Sequence, residues 1–235
     1  MTSGEILRDL FDRYPCLCPC ESEIRSALVL FFTCFRRGGK VLTCGNGGSS
    51  ADADHLVAEL MKGFLSPRTL SAETRLCLEK SGGSDGPFLS SVLQGALPAI
   101  SLGVHGALIS AFANDCAAEA VYAQQVFGYG RPGDVLVCFS TSGDSRNVVL
   151  AARVAQAIDM AVIGLTGRNG GLLAPLCDAA VKVPEDSTRF IQELHLPVYH
   201  ALAAATEAEF FSSPDRELFD TRESDFGPVA RPRDE

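Results

Sequence analysis

Apolar residues fall along this 235-residue chain in two rhythms. Five short runs, at 40–44, 99–102, 135–139, 161–165 and 179–183, are almost continuous in Val, Leu, Ile, Ala and Cys. A strand with one wet face alternates apolar and polar residues. A run that is apolar throughout predicts a strand covered on both faces, as in a parallel sheet sandwiched by helices. Elsewhere apolar positions recur at three- and four-residue spacing, which predicts helices over 3–13, 21–37, 50–61, 106–114, 117–127, 145–157, 170–176 and 188–211. Strands and helices in alternation specify an α/β fold, a doubly wound five-stranded parallel sheet flanked by helices.

Two stretches break the rhythm. Residues 64–95 include "SPRTL" and "SGGSDGP" with few periodic apolar positions. That is longer than an ordinary connection, and it reads as an insertion over the sheet edge or the site. Residues 212–235 are polar with two late prolines and read as a tail or an arm draped on a partner. No internal repeat is evident, so 1–211 is taken as a single domain. Pro197 lies inside the last predicted helix, where its ring cannot donate to the carbonyl of Glu193, so a kink or break is expected there.

Composition narrows the partners. A net charge of −9, with no basic run longer than two residues, argues against a nucleic-acid footprint. The apolar stretch at 27–35 is short and runs into Arg36 and Arg37, so it is not a membrane span, and the acidic first turns lack the form of a signal peptide. A cytoplasmic protein is expected. Nine cysteines, an odd number set mostly in apolar segments, suit reduced buried thiols better than a disulfide framework. Cys16, Cys18 and Cys20 alternate in "PCLCPCE", a spacing unlike the C-x2-C pairs of zinc sites.

Three of the strands end in clusters of small polar residues: "CGNGGSS", "FSTSGDS" and "LTGRNGG". Ligands of doubly wound sheets sit beyond the carboxyl ends of the strands, where helix N-termini and loop amides point at anions. Ser140, Thr141, Ser142 and Ser145 place four hydroxyls within six residues. An ordinary helix cap accounts for one of them, so a phosphate site is the better reading. Asn46, Gly47 and Ser49 of the first turn supply the other part of the cradle. The Walker pattern is absent, no Lys follows either turn, and "GNGGSS" lacks the third glycine of a dinucleotide fingerprint. Nucleotide hydrolysis and hydride transfer are thereby disfavoured.

His55 and Glu59 are four residues apart on the helix after the first turn, hence on one face. Alone, such a pair is more often a surface hydrogen bond than a site. The last helix carries Gln192, Glu193, His195 and His200. By helical angle Glu193 and His200 share a stripe and Gln192 sits to one side, and spacing does not choose between Gln192 and Glu193 as a site residue. His105, in a glycine-flanked loop after the second strand, can donate to a substrate when protonated or cap a helix; the site role is preferred.

The segments "GNGGSSADADHLVAEL", "AND" at 113–115, "GRPGDVLVCFSTSGDSRNV", "GLTGRNGG" and "IQELHLPVYH" occur in an order that resembles the sugar isomerase (SIS) domain proteins, and among them the phosphoheptose isomerases. The likeness covers about residues 40–211. It implies a homotetramer with active sites at subunit interfaces and interconversion of sedoheptulose 7-phosphate with D-glycero-D-manno-heptose 7-phosphate, commonly with zinc. Carried over by matched position, His55, Glu59, Gln192 and His200 become the metal residues, which favours Gln192 over Glu193, while Ser49, Ser140, Ser142 and Ser145 become the phosphate ligands.

Aldose-ketose isomerisation moves a proton between C1 and C2 through an enediolate, and so needs a carboxylate base, an acid-base for the oxygens and an electrophile. In the reading the resemblance implies, Glu59 shuttles the carbon proton and His200 the oxygen proton. The chain departs from the family pattern at Gly103 and His105, where an acidic residue of a T-T-D-x-S stretch is usual, at Lys62 and Gly63, at Asp144 in place of Asn, and in the 64–95 insertion. These departures bear on the sugar more than on the reaction class. The alternatives are a non-catalytic binding protein, such as the SIS proteins that associate with the replication initiator DnaA, a sugar-phosphate sensor, or an isomerase of another sugar phosphate. The set His55, Glu59, Gln192 and His200 favours the enzyme, because a scaffold needs no such group.

Overall fold

Five parallel strands, β1 (Val41–Cys44), β2 (Ala99–Ser101), β3 (Val135–Phe139), β4 (Ala161–Thr166) and β5 (Ala179–Lys182), form one sheet in the order β2-β1-β3-β4-β5. The computed structural model describes residues 1–211, so the expected tail at 212–235 lies outside the described residues. Cys44 pairs in register with Cys138, and Cys138 with Gly164, which brings the carboxyl ends of the three central strands to one level.

Helices cover both faces. On one side Val41, Val135, Val137, Phe139, Ile163, Leu165 and Val181 meet α1 (Ser3–Arg13), α2 (Glu21–Arg36), α3 (Gly48–Met61) and α9 (Thr188–Phe211). On the other, Leu42, Cys44, Leu136, Cys138 and Val162 meet α7 (Val121–Tyr129) and α8 (Arg146–Ala157). Adjacent residues of β1 and β3 thus enter different cores, which is why these strands are apolar throughout. Thr2 opens α1 with a capping box, its hydroxyl accepting from the Glu5 amide and its amide donating to the Glu5 carboxylate at 2.7 Å.

Four expectations change. Residues 170–176 form turns with a short 3-10 stretch at Ala174–Leu176 instead of a helix. Gly170 and Gly171 both take positive φ, and the amides of Leu172 and Leu173 bond to Asp144 and Gly143 rather than to a helical ladder. The 64–95 segment is more ordered than its sequence suggests, with α4 (Ala72–Ser81) and α5 (Gly86–Val92) packed as a hairpin; α4 buries no residue, so its apolar positions carry no helical stripe. The helix expected over 106–114 ends as α6 (Gly106–Phe112) and passes through a π turn at Ala113–Ala117 and a 3-10 turn at Ala118–Ala120 before α7. Pro197 does not interrupt α9, which runs unbroken for 24 residues. Ile191, His195, Val198, Ala201 and Leu202 are all buried around it, and that packing offsets one missing hydrogen bond. No helix of the described residues is long and apolar enough to cross a membrane.

Candidate active site

β1 and β3 are neighbours whose connections leave in opposite directions, toward β2 on one side and β4 on the other. Between such strands the following loops diverge and open a crevice at the carboxyl ends, the switch point at which doubly wound sheets bind ligands. The turn after β1 holds Asn46 and Gly47 and starts α3; the turn after β3 holds residues 140–145 and starts α8. Neither helix has a side-chain cap, so two N-terminal dipoles face the crevice without a capping oxygen.

The turns are locked together. Asn46 Nδ2 donates to Asn147 Oδ1 at 2.9 Å and Asn147 Nδ2 donates to Asn46 Oδ1 at 2.8 Å, a reciprocal amide pair across the switch point. Ser140 Oγ donates to Ser145 Oγ at 3.2 Å, and Ser142 Oγ accepts from the Asp144 amide at 3.1 Å. Ser49 and Ser140 are buried, Thr141 and Ser145 are half-buried, and Ser142 is exposed. Gly143 makes this turn possible: its φ is +73°, and a Cβ there would stand 2.1 Å from the carbonyl oxygen of Gly170. The Asp144 carboxylate accepts from the Leu172 amide at 2.9 Å, which commits it to the neighbouring glycine loop. The structure thus brings Asn46, Gly47, Ser49, Ser140, Thr141, Ser142 and Ser145 to one crevice.

A second group lies between α3 and α9. His55 Nε2 is 3.1 Å from Glu59 Oε1, Lys62 Nζ donates to Glu59 Oε2 at 3.2 Å, and the His55 and His200 rings meet edge to face with centroids 4.9 Å apart. Glu59 is 8% exposed. His200 also touches Phe64, at 5.2 Å between centroids, and its Nε2 is buried without a partner. Burial, helped by His55 and opposed by Glu59, holds the His200 imidazole below its ordinary pKa and hence neutral at pH 7.

Gln192 sits elsewhere on α9. A Cβ on Gly48 would lie 2.7 Å from its Nε2 and 2.8 Å from its Oε1, so the glycine admits this amide against the first turn, whereas Glu193 is exposed. Eight residues of helix separate Gln192 from His200 by about 12 Å along the axis. His105 packs its ring at 5.5 Å from Tyr129 rather than against His55 or His200, and makes no side-chain cap on α6. Among the described residues no three His, Cys, Asp or Glu side chains are disposed, as they stand, to hold a metal ion. The donor types nevertheless suit zinc: two imidazoles and a carboxylate lie on the facing helices, and one imidazole nitrogen is an orphan.

Several residues of the site were not singled out from sequence. Asn147 had a signal, as it follows the serine turn. Tyr199 had one in its place beside His200: its phenol lies 3.0 Å from His55 Nδ1 and donates to Asp52 Oδ1 at 3.3 Å. Arg68 and Glu207 had none. Glu207, 2% exposed, accepts from the amides of Phe64 (2.7 Å), Leu65 (2.8 Å) and Ser66 (3.0 Å) and from Arg68 Nε (2.8 Å). The Arg68 guanidinium, 0% exposed, donates in turn to the carbonyls of Leu60 and Glu59, capping the end of α3 that bears Glu59.

The SIS domain model matches residues 19–86 and 89–167. A phosphoheptose isomerase of Desulfovibrio desulfuricans is 38% identical over 190 residues, covering 81% of this chain and 78% of that protein. Two solved structures superpose on the fold. The phosphoheptose isomerase of Neisseria gonorrhoeae is 32% identical with a TM-score of 0.65, covering 88% of this chain and 93% of its own. That of Francisella tularensis is 30% identical with a TM-score of 0.68, covering 88% and 98%.

Proposed function

The chain belongs to the SIS domain family and within it to the phosphoheptose isomerases, and from that premise we propose that it interconverts sedoheptulose 7-phosphate and D-glycero-D-manno-heptose 7-phosphate through an enediolate. The observation that carries the reading is the pairing of a serine-rich turn at the switch point with a buried carboxylate beside two histidines on α3 and α9.

In this reading the sugar phosphate enters the crevice between β1 and β3. Ser49, Ser140, Ser142 and Ser145 donate to the phosphoryl oxygens, and the two helix N-termini complement its charge without a lysine. Glu59, a carboxylate in a mostly dry pocket, takes the proton from one carbon and returns it to the next. His200 is neutral at pH 7 and moves a proton between the substrate's two oxygens. Lys62 Nζ donates to Glu59 Oε2 and so holds that carboxylate in place. His105 and Gln192 contact sugar hydroxyls.

We further propose a zinc ion held by His55, Glu59, Gln192 and His200; when bound it would polarise the carbonyl and hydroxyl oxygens as a Lewis acid. Gln192 lies at Gly48 while His200 lies at His55, which supports a site shared between copies of a homotetramer. A cytoplasmic location belongs to the same proposal.

The test is proton exchange. Zinc-supplemented wild type, given sedoheptulose 7-phosphate in heavy water, is expected to exchange the C1 proton and form the aldose, while Glu59→Gln does neither yet still binds the sugar phosphate. Wild-type binding without exchange at C1 would refute the isomerase and leave a binding protein.

A further inference from the structure

α4 and α5 pack chiefly on one another. Helices of ten and seven residues are too short to persist in water on propensity alone and need a face to bury. Yet α4 buries none of its residues, and Leu76, Phe88, Val92 and Leu93 are 47–64% exposed. Among the described residues nothing covers this apolar side of the hairpin.

Beside it lies a groove of about 350 Å³. Leu70, Val92 and Leu93 supply apolar wall, and Arg68 and Arg75 supply charge. Arg68 is committed to Glu207 and to the end of α3. The exposed Arg75 guanidinium has no hydrogen bond or ion pair among the described residues, because Glu79, one turn further on, accepts from Ser90 instead. The groove therefore fits an apolar side chain carried next to a carboxylate.

α9 ends at the rim of this groove. Phe211, its last residue, lies at 4.8 Å from the Arg68 guanidinium, and a Cβ on Gly95 would stand 2.4 Å from the same ring; Arg68 and Gln94 both line the groove. The sequence that follows contains Asp215, Glu217, Leu218, Phe219 and Asp220, an apolar pair bracketed by acids. Seven extended residues, from 212 to Leu218, reach about 25 Å, against about 15 Å for the length of α4, so the pair can reach any part of the groove. Tethering at the rim gives it an effective concentration on the order of millimolar, an advantage that no separate partner has. We propose that Leu218 and Phe219 of the same chain fill this groove, with the carboxylates of Glu217 and Asp220 complementing Arg75, and so strap the α4–α5 hairpin to the end of α9. The proposal stands apart from the isomerase reading and is tested without substrate or metal.

The test uses the full chain. p-Benzoylphenylalanine in place of Phe219 is expected to photo-crosslink to residues 69–76 or 90–94, and in protein assembled from mixed 14N and 15N chains each crosslinked pair should carry a single isotope. Leu218→Asp combined with Phe219→Asp is expected to speed amide hydrogen exchange across 72–92 by about 10-fold or more, while β1 and β3 keep their wild-type rates. Arg75→Glu should loosen the hairpin in the same way, and adding Glu217→Arg with Asp220→Arg should restore its protection. Crosslinks that join heavy to light chains would give the groove to a second copy and overturn the proposal. Crosslinks to other surfaces, or wild-type exchange of the hairpin in the double Asp variant, would overturn it as well.

Discussion

Replacing Glu207 by Ala removes one side chain and strands several others. Its carboxylate accepts from three consecutive amides, those of Phe64, Leu65 and Ser66, and from a guanidinium that is 0% exposed. Leu65 and Ser66 are exposed, so water can take over their amides, but Arg68 cannot reach water and keeps only the carbonyls of Leu60 and Glu59. Breaking a buried ion pair from one side costs about 3–5 kcal/mol because the remaining charge stays desolvated. For a chain of this size each kcal/mol moves Tm by about 2–4 °C, so a fall of about 6–20 °C is expected. Circular dichroism of urea and thermal unfolding at fixed protein concentration measures it, since assembly would make Tm depend on concentration.

A double variant, Arg68→Met with Glu207→Leu, removes the orphaned charge and is expected to recover most of the loss. Burial alone would raise the Glu207 carboxyl, but the Phe64 amide, Arg68 and the Leu65 amide outweigh it and hold its pKa below the ordinary value. A depressed carboxylate contributes its stability above the unfolded pKa of about 4.3 and loses it as pH falls through the folded value. The gap between wild type and Glu207→Ala should therefore narrow in acid. A loss under about 1 kcal/mol at pH 7, or a double variant as unstable as the single one, would refute this account of the pair.

Acid should also act through His195, which burial pushes down to about 4. Between that value and the unfolded pKa near 6.5 the unfolded chain binds the extra proton, so stability should fall by up to about 3 kcal/mol as pH drops through this window. His195→Asn should flatten that slope, and an unchanged slope would count against it. In the cradle, Ser145→Ala removes one hydroxyl donor to a charged oxygen, worth about 1.5–3 kcal/mol. Titration calorimetry with sedoheptulose 7-phosphate should show about a 10-fold or greater loss of affinity, with the fold intact.

The strand runs were legible because a residue buried on either face of a sheet must be apolar, whichever helix covers it. The serine and glycine turns were legible because four hydroxyls in six residues exceed what a helix cap uses and a tight turn needs glycine. What escaped notice depended on distant partners. Pro197 was expected to bend α9, yet the packing around Val198 and Leu202 keeps it straight. The 170–176 stretch looked periodic, yet two positive-φ glycines and bonds to Asp144 and Gly143 turn it into a loop.

By itself the sequence determined the sheet class, the two turns and the face shared by His55 and Glu59, all of which follow from local periodicity and residue chemistry. Only the tertiary structure decided that Asn46 would pair with Asn147, that Gln192 rather than Glu193 would close on Gly48, and that Tyr199 and Arg68 would brace α3 from opposite ends. Those contacts join residues far apart in the chain, directly or, for Arg68, through its ion pair with Glu207, at distances set by how the helices pack on the sheet. No spacing along the sequence encodes such a distance.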